Sequence, residues 1–375
     1  MKIIRIFEYL FLVILSGLLQ DCSITKISGD GKKHSKQEYY TINDFTSVEK
    51  FDSHVHLNTE DTDFILLSEQ DNFRLLDIVD DRPFGLPMDQ LQKIAINQLK
   101  AHPDRIAFAT TFSVKSWNND DWQEKTLASL ENSISSGAIA VKIWKNVGMD
   151  LKDKDGKFVM IDNPRFDPIF DYLAKNNIPL IGHNGEPKDC WLPLEKMTVK
   201  GNKNYYSQHP EYHMFLHPEY PSYEEQIRAR DHMLEKHPDL KFIGAHLGSL
   251  EWNLDELTER LDKFPNMAVD LSRFTNLHIH SLTNWQKTHD FFIKYQDRLI
   301  YGTDRSVAGT TNRAEMKKSL HDARIRHWMF FATDEKMAEP EIDGEFKGLK
   351  LPRTVIDKIY RKNAEQWIPV IHEIK

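Results

Sequence analysis

A chain of 375 residues with 40% hydrophobic and 28% charged side chains is long enough for one large barrel or two ordinary domains. Its formal net charge of -8, with Lys and Arg scattered rather than blocked, lacks the basic footprint of a nucleic-acid-binding protein. Two cysteines, Cys22 and Cys190, exclude a disulfide framework.

Residues 1–22 read as an export signal. Lys2 and Arg5 precede an apolar run from Phe7 to Leu19, shorter than the roughly 20 apolar residues a bilayer span needs. The run ends in Leu19-Gln20-Asp21-Cys22, which resembles a bacterial lipoprotein signal with Cys22 as the lipidated residue; a plain cleaved signal and an uncleaved anchor are the other readings. An exported protein of the bacterial envelope or periplasm is therefore expected, touching a membrane only through this segment. Residues 23–40, rich in Ser, Lys, Gly and Asp at their start, suit a flexible tether, and the folded body is expected over 41–375.

From there, short apolar runs alternate with helical patterns, which predicts a parallel sheet. The expected strands are Val48 to His54, Phe73 to Val79, Arg105 to Phe112, Ala138 to Trp144, Ile178 to His183, Leu240 to His246, Met267 to Leu271 and Leu299 to Gly302. Helix signals lie between most of them: Asp89 to Ala101, Asp121 to Ser135, Arg165 to Asn176, Tyr223 to Lys236 with a Ser222/Glu225 capping box, Glu251 to Lys263, Asn284 to Tyr295, and a last helix from Arg353 to Gln366. Eight strands with interleaved helices predict an α/β fold, a (β/α)₈ TIM barrel, with a long loop insertion after strand five, Glu186 to Tyr220, over the barrel mouth.

In such a barrel, functional side chains stand at the C-terminal ends of strands. Strand one ends in Asp52-Ser53-His54-Val55-His56, whose alternate imidazoles face the same way, as two ligands of one metal must. A His-x-His alone is weak evidence. Strand five, however, ends in His183, strand six in Gly244-Ala245-His246-Leu247-Gly248 and strand eight in Gly302-Thr303-Asp304. Ligand-type residues at four strand ends point to a metal site.

These residues, with the closing Asn363-Ala364 pair in a C-terminal helix, resemble the amidohydrolase superfamily, specifically its amidohydrolase-related branch of metal-dependent hydrolases and decarboxylases. The resemblance implies that His54, His56, His183 and Asp304 bind one divalent metal, zinc first and manganese second, with His246 beside it or on the substrate. It further implies Asp304 and His246 as the catalytic groups.

Other residues are candidates for holding a small-molecule substrate. Lys142 on strand four either binds an acidic substrate group or pairs near Asp304; some superfamily members carry a carboxylated lysine at this place. Trp144 could form an aromatic wall, Glu186 could line the site, and Arg273 and Arg305 could clamp a carboxylate. His209, His213 and His217 read as loop histidines, and Cys190 has no base motif beside it. The expected activity is hydrolysis of an ester, lactone or amide bond by a metal-activated water. Decarboxylation or hydration of a small carboxylic acid is the alternative, and an exported binding protein with a vestigial site is a third reading.

Overall fold

Parallel strands need crossover connections, and here helices supply nearly all of them. The computed structural model describes residues 38–82 and 84–368. The strands of its main sheet are β1 (Lys50–Asn58), β2 (Phe73–Ile78), β3 (Ile106–Thr111), β4 (Ala138–Ile143), β5 (Leu180–Gly182), β6 (Phe242–Gly244), β7 (Met267–Asp270), β8 (Leu299–Ile300) and β9 (Arg305–Ala308). They pair in parallel in the order β8-β7-β6-β5-β4-β3-β2-β1-β9. β8 and β9 are two halves of one extended stretch. Between them the Tyr301 carbonyl accepts the Ser53 N–H at 3.0 Å and the Asp304 N–H donates to the His54 carbonyl at 2.7 Å. The eighth strand thus closes on the first, completing a (β/α)₈ barrel.

Side-chain alternation sorts two cores. Phe51, Ile78, Ala109, Ala140, Ile181, Ile243, Ala268 and Ile300 form one buried cluster with a member from each of the eight strand positions, which only the barrel interior allows. Val55, Leu75, Val141, Leu180 and Val269 face outward into the larger cluster beneath the helices. Trp367 and Ile368 join the interior cluster from the C-terminal helix. Asn363 secures that helix by donating to the carbonyls of Gln296 and Leu299, both at 2.7 Å, while Ala364 packs inward.

Beyond the interior cluster, five of the eight strand positions leave the apolar zone. Ile78 leads to Asp80, Ala140 to Lys142, Ile181 to His183, Ala268 to Asp270, and Ile300 to Gly302 and then Asp304. A polar layer therefore caps the apolar interior at the C-terminal end of the barrel.

Three helices appear that periodicity did not predict: Asp63–Gln70, Phe274–Thr283 and the twenty-residue Arg313–Ala332. The segment after β5 is not a plain loop either. It carries the nine-residue helix Lys200–Gln208 among short 3-10 turns, with Tyr206 its one buried side chain and Asn202 donating to Asp189 at 3.0 Å. The export segment, Cys22 and residues 23–37 of the tether lie outside the described residues. Residues 38–40 belong to the folded body, because the Glu38 carbonyl accepts Arg353 N–H, Tyr39 bridges Pro352 and the Tyr40 hydroxyl donates to Asp357 at 2.7 Å. Among the described residues no helix is long and apolar enough to cross a membrane.

Below the polar layer, Asp52 faces outward and meets Arg324 of the long helix at 3.3 Å, both fully buried. Asp52 also accepts the Thr303 N–H at 2.9 Å and hydroxyl at 2.7 Å. Asp52→Ala would leave a guanidinium in the core short of its partner and unpin Thr303. A loss of about 3 kcal/mol is expected in urea unfolding, since breaking one side of a buried pair costs far more than a surface pair is worth.

Candidate metal centre

The β1 histidines reach the interior because of a local irregularity. Asp52 pairs with Leu75 but Val55 with Asp77, so β1 holds one residue more than β2 over that stretch. The extra residue shifts the alternation: Phe51 points in, Val55 and Leu57 point out, and His54 and His56 turn inward. Gly302 opposite is required to be small, since a Cβ there would stand 3.0 Å from the His54 Cβ.

Hydrogen bonds fix the proton on each ring. His54 Nδ1 donates to Asp270 Oδ2 at 2.7 Å, and His56 Nδ1 donates to the Ile78 carbonyl at 2.7 Å. Ser272 gives its hydroxyl proton to Asp270 Oδ1 at 2.6 Å, so its oxygen accepts from His246 Nδ1 at 2.8 Å. All three Nδ1 atoms are occupied, and all three Nε2 lone pairs are left for something else. They converge on Asp304: His54 and His56 Nε2 lie 3.4 Å from its Oδ1, and His246 Nε2 lies 3.8 Å from its Oδ2.

Lone pairs and carboxylate oxygens this close share nothing unless a cation stands among them. Burial raises the Asp304 carboxyl, and positive charge on His54, His246 and His56 would hold it well below the ordinary carboxylate range; a cation seated among neutral rings acts in the same direction. It is therefore ionised, and with 36% of its side chain exposed it faces the mouth. Its backbone lies in the left-handed region at φ 54°, as do His246 at 57° and Leu247 at 58°. Such strain in non-glycine residues is tolerated where surrounding contacts impose it.

Two residue groups place ligand atoms within 4.8 Å of one another among the described residues: His54, His56 and Asp304, and His54, His246 and Asp270. The second group is committed already. Asp270 uses Oδ2 on His54 and Oδ1 on Ser272 and on the His246 N–H at 2.9 Å, so it orients ligands rather than offering itself. The first group, two neutral imidazoles and a carboxylate, fits zinc or manganese.

His183 stands outside both groups. Its ring lies edge-on to His246 with centroids 4.4 Å apart, and its buried Nε2 has no hydrogen-bond partner. Burial, His246 and Lys142 push its pKa down, so it is neutral and one of its two ring nitrogens is free to act as a donor to a metal. His246 is lowered likewise, chiefly by burial.

The candidate substrate residues separate. Lys142 is inward and buried. Glu186 is joined to Lys145 by a short ion pair, and Trp144 stacks edge-on with Phe84 at 6.1 Å while Lys145 sits 5.3 Å over its ring. Arg273 follows β7 at the start of a helix, half-buried. Arg305 is displaced from the centre: it is exposed and lines a hollow with Phe64, Asn312 and Glu315 outside the barrel, because it lies on the outward side of β9 next to inward Asp304. His213 and His217 cap the carbonyls of Leu192 and Pro210, and Cys190 is buried against the Tyr212 carbonyl.

Three residues that hold the candidate ligands escaped sequence reasoning. Asp270 and Ser272 end β7, a strand whose terminus holds no histidine. Asp80 follows β2, 3.5 Å from His56 Nδ1, and is gripped by Arg82 through Nε at 2.6 Å and a second, shorter bond. Asking what every strand end carries, rather than where histidines fall, would have found them.

The amidohydrolase family matches residues 89–370. The chain belongs to this family. It is an enzyme fold, and among solved structures it is similar to 2,6-dihydroxybenzoate decarboxylase from Rhizobium, with a TM-score of 0.52 and 15% identity over 86% of this chain and 99% of that one. A dihydroxybenzoic acid decarboxylase from Polaromonas sp. JS666 gives 0.49 and 14% over 86% and 97%. An uncharacterized TIM-barrel protein from Bordetella bronchiseptica gives 0.49 and 13% over 87% and 100%. At these identities the likeness is one of fold. Among curated proteins no sequence matches.

Two predictions follow from this family member's polar layer. Asp270→Asn keeps the shape but not the charge that holds the His54 tautomer, and metal affinity by chelator competition should fall roughly 10–100-fold. Glu251 is buried, with Oε1 on the Lys188 N–H at 2.9 Å and Oε2 unpartnered; burial lifts its carboxyl to about 7 against the pull of Arg273. A raised carboxyl contributes stability fully below its ordinary value and loses it as pH climbs through about 7. Glu251→Gln should therefore gain on the native chain between about pH 5 and pH 8, by up to about 3 kcal/mol in denaturant titrations. An unchanged difference across that range would contradict the sign.

Proposed function

We propose that this amidohydrolase-family chain is a metal-dependent hydrolase that cleaves an ester, lactone or amide bond of a small molecule. The observation supporting it most is the meeting of three fixed Nε2 lone pairs with an ionised, mouth-facing Asp304. When bound by His54, His56 and Asp304, with His183 as a further donor, a divalent metal, zinc first and manganese second, supplies Lewis acidity and a water acidified toward neutral pH. Asp304 accepts the proton of the attacking water, as an ionised carboxylate can. Asp304 then returns that proton to the leaving group, while His246, held by Ser272 through Nδ1, keeps a bare Nε2 3.8 Å from Asp304 Oδ2 that can accept a hydrogen bond from water or substrate. The export-like N-terminal sequence supports placing this chemistry in the bacterial envelope.

Non-oxidative decarboxylation of a small carboxylic acid is the second reading, supported by the fold likeness to the Rhizobium decarboxylase. Products separate the two. Incorporation of labelled oxygen from water into product is expected, and release of carbon dioxide without it would select the lyase. Asp304→Asn should lower kcat roughly 10²–10⁴-fold; full turnover in that variant would remove Asp304 as the base.

A further inference from the structure

Past the metal side of the barrel, β1 and β9 run on together as a two-stranded ribbon. His56 pairs with Ser306, and Asn58 with Ala308. Partners across a ladder share a face, and so do residues two apart along a strand. The face that carries His56 therefore continues into Asn58, Ser306 and Ala308, and the Asn58 amide donates across it to the Ser306 hydroxyl at 3.0 Å. These three residues line a hollow of about 600 Å³, a volume in the range of small-molecule sites. Leu91 and Ile94 of the helix Met88–Ala101 line it as well, together with Leu86. Arg82 links hollow and centre: it lines the hollow, and it grips Asp80, which stands 3.5 Å from His56 Nδ1.

The lining offers a ligand no free charge. Among the described residues Arg82 is the only charged one in it, and Asp80 takes that charge through two hydrogen bonds. Asn58 and Ser306 are spent on each other, and the Ala308 N–H donates to the Thr311 hydroxyl at 2.9 Å. What remains for a ligand is the apolar surface of Leu86, Leu91, Ile94 and Ala308. Gly85 and Gly309 keep the space open, since a Cβ at either would meet nothing within 4 Å. A charged group entering here would give up water without gaining a partner, whereas an alkyl or aryl group is stabilised by the burial itself.

We propose that this hollow is a substrate subsite for an uncharged alkyl or aryl group, reached from the metal centre along the shared face of β1 and β9. His56 and Asn58 are two strand residues apart, about 7 Å, so the favoured substrate carries an apolar arm at least that long beyond its reacting bond. The inference rests on the proposed metal centre being where the bond reacts, and it selects among substrates of either reaction class. Leu86, Ile94 and Ala308 are then specificity residues: they touch the arm and not the reacting atoms.

The probes are acetohydroxamate and octanohydroxamate, which share a metal-chelating head and differ only in the arm, titrated by calorimetry into the zinc-loaded full chain. Octanohydroxamate should bind at least roughly tenfold more tightly, as burial of several methylenes requires. Ala308→Phe puts a ring into the hollow from the shared face and should cancel most of that gain; Gly309→Phe, starting from open space, should do the same. Phe215→Ala removes an exposed ring on the segment after β5 and should leave the gain in place. Equal binding of the two hydroxamates by the native chain, or binding of neither, overturns the proposal whether or not the variants fold. Metal content measured beforehand separates that result from a failure of the metal centre. A gain that survives both ring insertions, or that vanishes in Phe215→Ala, also overturns it. The ratio of kcat/KM for p-nitrophenyl octanoate over acetate should fall at least roughly tenfold in Ala308→Phe. A chain-length gain in hydroxamate binding that Ala308→Phe abolishes, with no turnover of either ester, would leave the subsite standing and tell against the hydrolase reading.

Discussion

One extra residue in β1 is the constraint on which the centre depends. Without the shift between Asp52 and Val55, strict alternation from inward Phe51 would turn Ser53, Val55 and Leu57 into the barrel and both imidazoles out among the helices. The bulge lets one strand serve two environments. Its first half sends Phe51 into the apolar interior and Asp52 to Arg324; its second half sends His54 and His56 to the metal side and Val55 and Leu57 to the helix layer. The Ser53 hydroxyl, donating to the Tyr301 carbonyl at 2.7 Å, ties the shifted residue to the strand that closes the barrel.

With the rings inside, Asp270 determines what they can do. Its two oxygens accept from His54 Nδ1, the His246 backbone and Ser272, and those charge-assisted bonds outweigh burial and keep its carboxyl ionised. Because Ser272 spends its proton on Asp270, it must accept from His246. A single carboxylate thus sets the tautomers of two rings on different strands. Such a network is cooperative in a low-dielectric layer, and a neutral replacement would release both rings together.

The fold was largely legible in the sequence because parallel strands buried on both faces are short apolar runs, and all eight were located within a few residues. That His54, His56 and Asp304 come together as a candidate ligand group was legible because strand ends are where a barrel works. What was not legible has physical causes. The helix Arg313–Ala332 shows no clean stripe, since its first half buries only Leu320 while its second half buries Arg324 together with Trp328, Phe330, Phe331 and Ala332 around most of its circumference. The helix Lys200–Gln208 is almost wholly polar and reads as loop. Arg305 was misplaced because the chain turns through left-handed Asp304 into β9, where Arg305 pairs with outward-facing Val55. The β1 bulge itself leaves no mark in the residue types; the inward pair was expected from alternation, which held only locally.

Asp304 shows how far the support of a candidate metal ligand extends. It occupies the left-handed region between β8 and β9, where the chain breaks its strand geometry for Tyr301 to Asp304 and then resumes pairing with β1. That conformation is held from both sides. The Asp304 N–H is fixed on the His54 carbonyl, so ligand and ligand are linked through the backbone as well as through the centre. Thr303 is fixed by Asp52, which is in turn held by Arg324 from the outer helix. The buried Asp52–Arg324 pair is therefore better understood as a clamp on the eighth strand than as a source of net stability, because burying two charges returns little energy once their desolvation is counted. Its return is positional: it keeps a strained aspartate, which isolated chain preferences would relax, aimed at three imidazole lone pairs.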